Sequence, residues 1–171
     1  MIRRSAAVAV FAAALLLAGC GASGDAQEAT PAPTASATPE ELTCESMVSS
    51  DFADQLADLG WTAREDVFRI GEHEIDGGIQ CTWGDPANGA EVAQIYGWAE
   101  IDADAATEME QYLAGQGWTV EEGDGVVYVT EDPEYAMYQD DDGYGMTYEF
   151  GDGWVKLADT KASLGVVTWR G

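Results

Sequence analysis

The side chains with the most distinctive chemistry in this 171-residue chain are three thiols and one imidazole: Cys20, Cys44, Cys81 and His73. Their spacing assembles no nucleophile. With a single histidine and no Gly-x-Ser-x-Gly, a Ser/His/acid triad has no placement. Glu72, His73, Glu74 and Asp76 offer donors to a divalent metal, but a helical zinc site wants two histidines one turn apart. That run lies between glycines and is expected to be an exposed loop. Asp140, Asp142 and Glu149 fall at the third, fifth and twelfth positions of a helix–loop–helix calcium loop if Tyr138 takes the first. Tyr138 brings no carboxylate, however, and both flanks alternate as strands, so an acidic hairpin tip is expected there. These three acids remain the weak metal candidates, and a loosely held divalent cation is the only cofactor considered. Thirty-two acids always offer carboxylate pairs, so pairs alone do not indicate glycoside hydrolysis. No glycine-rich phosphate loop leads into a helix with a lysine. A non-enzymatic protein is expected.

Cys20 has its own context. Arg3 and Arg4 precede an apolar run, Ala6 to Leu17, which ends Leu17-Ala18-Gly19-Cys20. The run is too short to span a bilayer, which takes roughly 20 residues, and it suits the core of a secretory signal. Its end resembles the lipobox of bacterial lipoproteins. That resemblance implies cleavage between Gly19 and Cys20 and lipidation of the Cys20 sulfur. Two or three acyl chains hold a protein stably on a membrane where one does not. The expected segments are a signal peptide over 1–19, a lipidated cysteine and flexible tether over 20–42, and one acidic domain over 43–171. The tether, GASGDAQEATPAPTASATPEEL, is small and polar without apolar periodicity.

The charge balance excludes some partners. The formal net charge is -25, from 32 acids against seven bases. Removing Arg3 and Arg4 with the signal would leave five bases, Arg64, Arg69, Lys156, Lys161 and Arg170, and a net charge of -27 (5 minus 32). Nucleic acid is excluded as a partner, because its binding needs clustered bases to displace counterions. Docking on anionic lipid by charge is excluded too, so the lipid anchor must supply the membrane contact. A monomer is expected.

The elements that must position any site read as α+β. Ser50 caps a first helix with Phe52, Leu56 and Leu59 on one face and Gly60 at its end. Asp102 caps a second, with Ala105, Met109, Tyr112 and Leu113 as its buried stripe and Gly115 or Gly117 at its end. Strands are expected over 118–121, 126–130, 134–139, 144–150 and 154–158, joined by turns at Asp124-Gly125, Asp142-Gly143 and Gly151-Asp152-Gly153. The stretch 91–100 is apolar on both faces, which suits a central strand. The fold class is therefore a mainly antiparallel β meander sheet with two helices packed on it. Leu56-Ala57-x-x-Gly60-Trp61-Thr62 returns as Leu113-Ala114-x-x-Gly117-Trp118-Thr119. This suggests a tandem helix-plus-strands repeat, in which Gln80–Trp83 with the turn GDPANG corresponds to Glu134–Gln139 with DDDG. Chance recurrence of a helix stop is the alternative.

With Cys20 committed to lipid, Cys44 and Cys81 form an even pair outside the cytoplasm and are expected to be a disulfide. It would tie the first helix to the strand carrying Trp83. Of the aromatic residues, Trp154 and Trp169, at a turn and a terminus, are the candidates for a binding surface. The rest are expected in the sheet core.

At GGIQCTWGDP and MTYEFGDGWVKLADT the chain resembles small actinobacterial lipoproteins, in which a lipobox and a Thr/Pro/Ala tether precede an acidic domain with a cysteine pair. That resemblance implies a location and no activity. The twofold layout is similar in architecture to the β-lactamase inhibitor proteins of that phylum. The expectation is a lipid-anchored, extracytoplasmic module that binds an envelope protein, peptide or wall component. The alternatives are a carboxylate-dependent cell-wall enzyme, a protein inhibitor and a cation-binding spacer.

Overall fold

The computed structural model describes residues 41–87 and 92–171. The signal, the cleavage site at Gly19 and Cys20, and most of the tether lie outside the described residues, as do Asn88 and Gly89 of the GDPANG turn, Ala90, and Glu91, the first residue of the expected strand.

Seven strands form one antiparallel sheet: β1 Thr62–Ile70, β2 His73–Gly84, β3 Ala93–Glu100, β4 Thr119–Glu122, β5 Val127–Thr130, β6 Thr147–Gly151 and β7 Trp154–Ala158. Their spatial order is β1-β2-β3-β7-β6-β5-β4. The helices are α1 Cys44–Met47, α2 Ser50–Asp58 and α3 Ala103–Gly115, and a 3-10 turn spans Ala162–Val166. This is the expected α+β sheet with two longer helices on it. As its two apolar faces required, β3 is central, paired with β2 on one side and β7 on the other.

The two helices cover opposite faces. α3 lays Ala106, Met109 and Leu113 on a cluster that includes Phe68, Ala99, Val129, Tyr148, Phe150 and Leu157. α1 and α2 lay Met47 and Leu56 on Cys81, Trp83, Tyr96 and Trp98 across the other face. Phe52 meets the Tyr96 ring edge-on at 5.4 Å. Ser49, not Ser50, takes the cap position of α2, and Leu59, its C-terminal cap residue, is exposed rather than buried. On α3 it is Ala106, not Ala105, that is fully buried.

The two helix exits are alike in geometry. The Gly60 N–H donates to the Ala57 carbonyl at 2.9 Å and the Trp61 N–H to Leu56 at 2.9 Å. The Gly117 N–H donates to Ala114 and the Trp118 N–H to Leu113, both at 3.1 Å. Gly60 and Gly117 have φ of 78° and 94°. Each is the left-handed residue that closes a helix with paired bonds back to its last turn. Both exits lead into edge strands, β1 and β4, at opposite ends of the sheet. The later part of the expected correspondence needs correction. Residues 134–139 form turns rather than a strand, and β5 pairs directly with β6. The long β5–β6 loop, 131–146, carries those residues because Pro133 and the Asp140 turn offer no ladder. Residues 73–76, expected in a loop, begin β2 instead, paired with Arg69 and Ile70 of β1.

Cys44 and Cys81 are disulfide-bonded with Cα atoms 5.6 Å apart, and both are buried. The bond ties α1, not the longer α2, to β2. The C-terminal segment returns to the same place: Val167 bridges Val48, and the Thr168 N–H donates to the Met47 carbonyl at 2.9 Å.

Candidate functional site

One row of residues crosses the sheet on the face covered by α1 and α2. In register it runs Val67, Ile79, Trp98, Lys156, Glu149, Tyr128, Glu121. Over β1, β2 and β3 the row is apolar; Ile79 and Trp98 lie under the helices, and Val67 at the edge is exposed. From β7 outward it turns polar, where no helix among the described residues covers it. The chain that does reach this half is the β5–β6 loop and the 3-10 turn after β7. Between them and the sheet opens a concavity of about 530 Å³, lined by Tyr128, Tyr144, Glu149, Lys156, Lys161 and Arg170 among others.

Lys156 is at the floor. Its side chain is 6% exposed, and its Nζ lies 3.6 Å from Glu149 Oε2 and 4.8 Å from the centre of the Trp154 ring. Burial lowers the affinity of this amine for its proton. Glu149 opposes that effect, and the Arg170 charge reinforces it. Lys161 closes one side. It pairs with Glu121 and sits over the rings of Tyr128 and Tyr144 at 4.6 and 4.1 Å. The Tyr144 hydroxyl donates to Glu121 Oε1 at 3.0 Å. The Glu121 carboxyl is held below the usual carboxylate range, first by the Lys161 hydrogen bond. Asp140 pins the loop: Oδ1 accepts from the Asp142 and Tyr144 N–H groups, and Oδ2 accepts from the Ala162 N–H at 3.0 Å.

The three metal candidates, Asp140, Asp142 and Glu149, all line this one concavity. They do not converge on a point. Asp140 is occupied by backbone N–H groups, and Glu149 faces an ammonium. Among the described residues no group of three such donors is placed to hold a metal ion. His73 stands against the Tyr112 ring at 4.6 Å on the other face of the molecule, beside the Arg69–Glu74 ion pair.

Trp154 and Trp169 are half-buried rather than open platforms. The Trp154 ring lies over Gly151, where an added Cβ would stand 2.2 Å from it. Trp169 packs edge-on against Trp98 at 6.3 Å. A second, larger concavity of about 600 Å³ opens at the end of α3, with Tyr112, Trp118, Tyr135 and Tyr148 in its wall. Its charged groups are engaged elsewhere: Arg69 pairs with Glu74, and Glu131 accepts the Met146 N–H. The Tyr148 hydroxyl donates to the Arg69 carbonyl at 2.9 Å.

No protein-family model, curated protein or solved structure matches the chain. The site therefore stands on its own geometry. Among the described residues no helix is long and apolar enough to cross a membrane.

Lys156 is a candidate site residue that the sequence motifs do not single out. Its signal was present: Trp154-Val155-Lys156-Leu157-Ala158 is an otherwise apolar strand. Counting back through the Gly151-Asp152-Gly153 turn sets Glu149 opposite it. Alternation along the expected 144–150 strand would put Tyr144 on the face of Tyr148 and Phe150, but β6 starts only at Thr147, and Tyr144 lines the concavity with Lys156 instead.

Proposed function

We propose that this protein is a lipid-anchored, extracytoplasmic lipoprotein of the actinobacterial type, whose acidic domain is a non-enzymatic binding module of the cell envelope. The observation that supports binding is the convergence of Lys156, Lys161 and Arg170 on one concavity, in a chain where only seven residues are basic at all. A domain that used charge only for solubility would spread its few cations over the surface. Burying an ammonium costs several kcal/mol before compensation, so Lys156 is retained against a stability cost. The aromatic rings beside it and the unfilled half of the sheet provide the rest of a small recognition site.

Two experiments on intact cells test this. Fatty-acid labelling and fractionation should place the wild-type protein in the membrane with acyl label, and Cys20→Ser should lose both. Photocrosslinking from Tyr144 should recover one envelope partner or ligand that is lost in Arg170→Gln. An unlabelled wild-type protein would overturn the anchor, and reproducible absence of any crosslinked species would overturn the binding role.

A carboxylate-dependent wall enzyme is supported by one separate observation. Glu110 is raised above the usual carboxylate range, first by burial and then by the charge of Glu122, at a groove beside α3 and β4. Wall-hydrolysis assays comparing wild type with Glu110→Gln decide that reading, and turnover lost in the variant would favour it.

A further inference from the structure

The pocket over Lys156 holds equal numbers of opposite charges. Lys156, Lys161 and Arg170 face Asp140, Asp142 and Glu149. They are not equally available. Lys161 is taken up by Glu121 and two tyrosine rings, and Asp140 by three backbone N–H groups. Among the described residues Lys156 has one carboxylate partner, Glu149 at 3.6 Å, for an ammonium with three donors. Arg170 is exposed, and the one bond shown for its guanidinium is from Nη1 to the neighbouring Trp169 carbonyl, which leaves most of its five donors. Two cations thus have donors to spare, and Asp142 is an exposed acid at the rim.

The surrounding field narrows the ligand further. A net charge of -25 repels a simple anion. A simple cation meets the buried ammonium of Lys156 and the guanidinium of Arg170. A molecule with both a carboxylate and an ammonium is neutral toward the long-range field and satisfies both kinds of group at short range. Tyr128 and Tyr144, both half-buried, supply ring surface to the wall. A concavity of about 530 Å³ accepts an amino acid or a short peptide.

We propose that this pocket binds the zwitterion of an amino acid or short peptide. The carboxylate sits on Lys156 and Arg170, the ammonium faces Asp142 and Glu149, and a small side chain rests against the rings of Tyr128 and Tyr144. This rests on the binding-module reading above and names its ligand class.

The test is titration calorimetry of the full chain in detergent with four probes: alanine, alanyl-alanine, N-acetyl-alanyl-alanine and alanyl-alanine amide. The expected result is a Kd on the order of 1 mM or tighter for a zwitterionic probe. Blocking either end should weaken binding about tenfold, one lost charge-assisted contact. Alanine against alanyl-alanine distinguishes the free amino acid from the peptide. Arg170→Gln, at an exposed position, should weaken binding at unchanged thermal stability, and Lys156→Met should abolish it. Equal binding of the blocked probes would overturn the proposal. So would Arg170→Gln binding as well as wild type, or no heat from any probe. If the probes fail while crosslinking on cells still recovers a partner, the ligand class is wrong and the binding role stands.

Discussion

Lys156 and Glu149 face each other across β7 and β6, with Nζ and Oε2 3.6 Å apart and side chains only 6% and 14% exposed. Breaking a buried pair by removing one partner typically costs 3–5 kcal/mol, whereas replacing both with apolar groups is often neutral or stabilising. Glu149→Leu alone should therefore lower stability by about 3 kcal/mol. Glu149→Leu combined with Lys156→Met should recover most of that loss and bind nothing. Urea unfolding of the two single variants and the double measures the coupling. A double variant no more stable than the worse single would show that the pair stabilises the fold.

The Cys44–Cys81 bond closes a loop with a sequence separation of 37. In the chain-entropy account a loop of this length is worth about 4 kcal/mol. Cys44→Ala with Cys81→Ala should lower the urea midpoint accordingly. The C-terminal segment should then protect its amides less from hydrogen exchange, because Val167 and Thr168 are held by the residues next to Cys44.

Gly60 and Gly117 occupy equivalent helix exits, and an added Cβ at either would meet nothing within 4 Å. Substitution with alanine therefore carries only the left-handed backbone cost, about 1 kcal/mol at each site. The two losses should be similar in size and should add, since the sites lie at opposite ends of the sheet. Thermal unfolding of both singles and the double checks this. A loss several-fold larger at one site would mean that the two exits are not energetically alike.

Three groups give stability a pH dependence of opposite signs. Glu121 is lowered, first by the Lys161 hydrogen bond. Its contribution is complete above the ordinary carboxylate range and is lost as pH falls through the depressed folded value. For Lys161, burial is the largest single effect and acts to lower the value, but the Glu121 bond and the charges of Glu121, Tyr144 and Tyr128 together outweigh it, so the net shift is upward. That contribution is complete below the ordinary lysine range and is lost as pH rises through the raised folded value. Asp159 runs the other way. Its carboxyl is raised by burial, and its Oδ1 is buried without a hydrogen-bond partner. Protonation therefore favours the folded state, and stability is gained as pH falls from the raised value to the ordinary one. Asp159→Asn should stabilise the domain at pH 7 by about 1 kcal/mol. That advantage should shrink in acid, while Glu121→Gln should remove the losses at both extremes. Urea midpoints between about pH 3 and pH 11 test both signs, because that range brackets the ordinary carboxylate and lysine values. An Asp159→Asn advantage that grows in acid would overturn the assignment.

Much of the scaffold was legible because its signals are local. Asp102 caps α3, with its Oδ1 accepting from the Ala105 N–H at 2.8 Å, since a carboxylate before an apolar stripe satisfies an otherwise open helix donor. β7 runs over the expected 154–158, because Gly151-Asp152-Gly153 sets the turn and the register together. The twin Leu-x-x-x-Gly-Trp exits could be read because a left-handed residue is needed at that place in each helix. The 134–139 strand failed where alternation of residue types was followed without a partner strand. Those residues have no partner strand, because β5 pairs directly with β6.

What sequence by itself determined is the class of fold, the two helices, the cysteine pair and the deep shortage of positive charge. Each depends on residue type and short spacing. Only tertiary structure decided where the remaining cations went. The turn between β6 and β7 sets Glu149 opposite Lys156, but no local pattern brings Tyr128, Lys161 and Arg170 to that pair. They meet because α1 and α2 cover one half of a sheet face and leave the other half open. There a single cross-strand row passes from Trp98 to Lys156, and buried apolar packing gives way to buried charge.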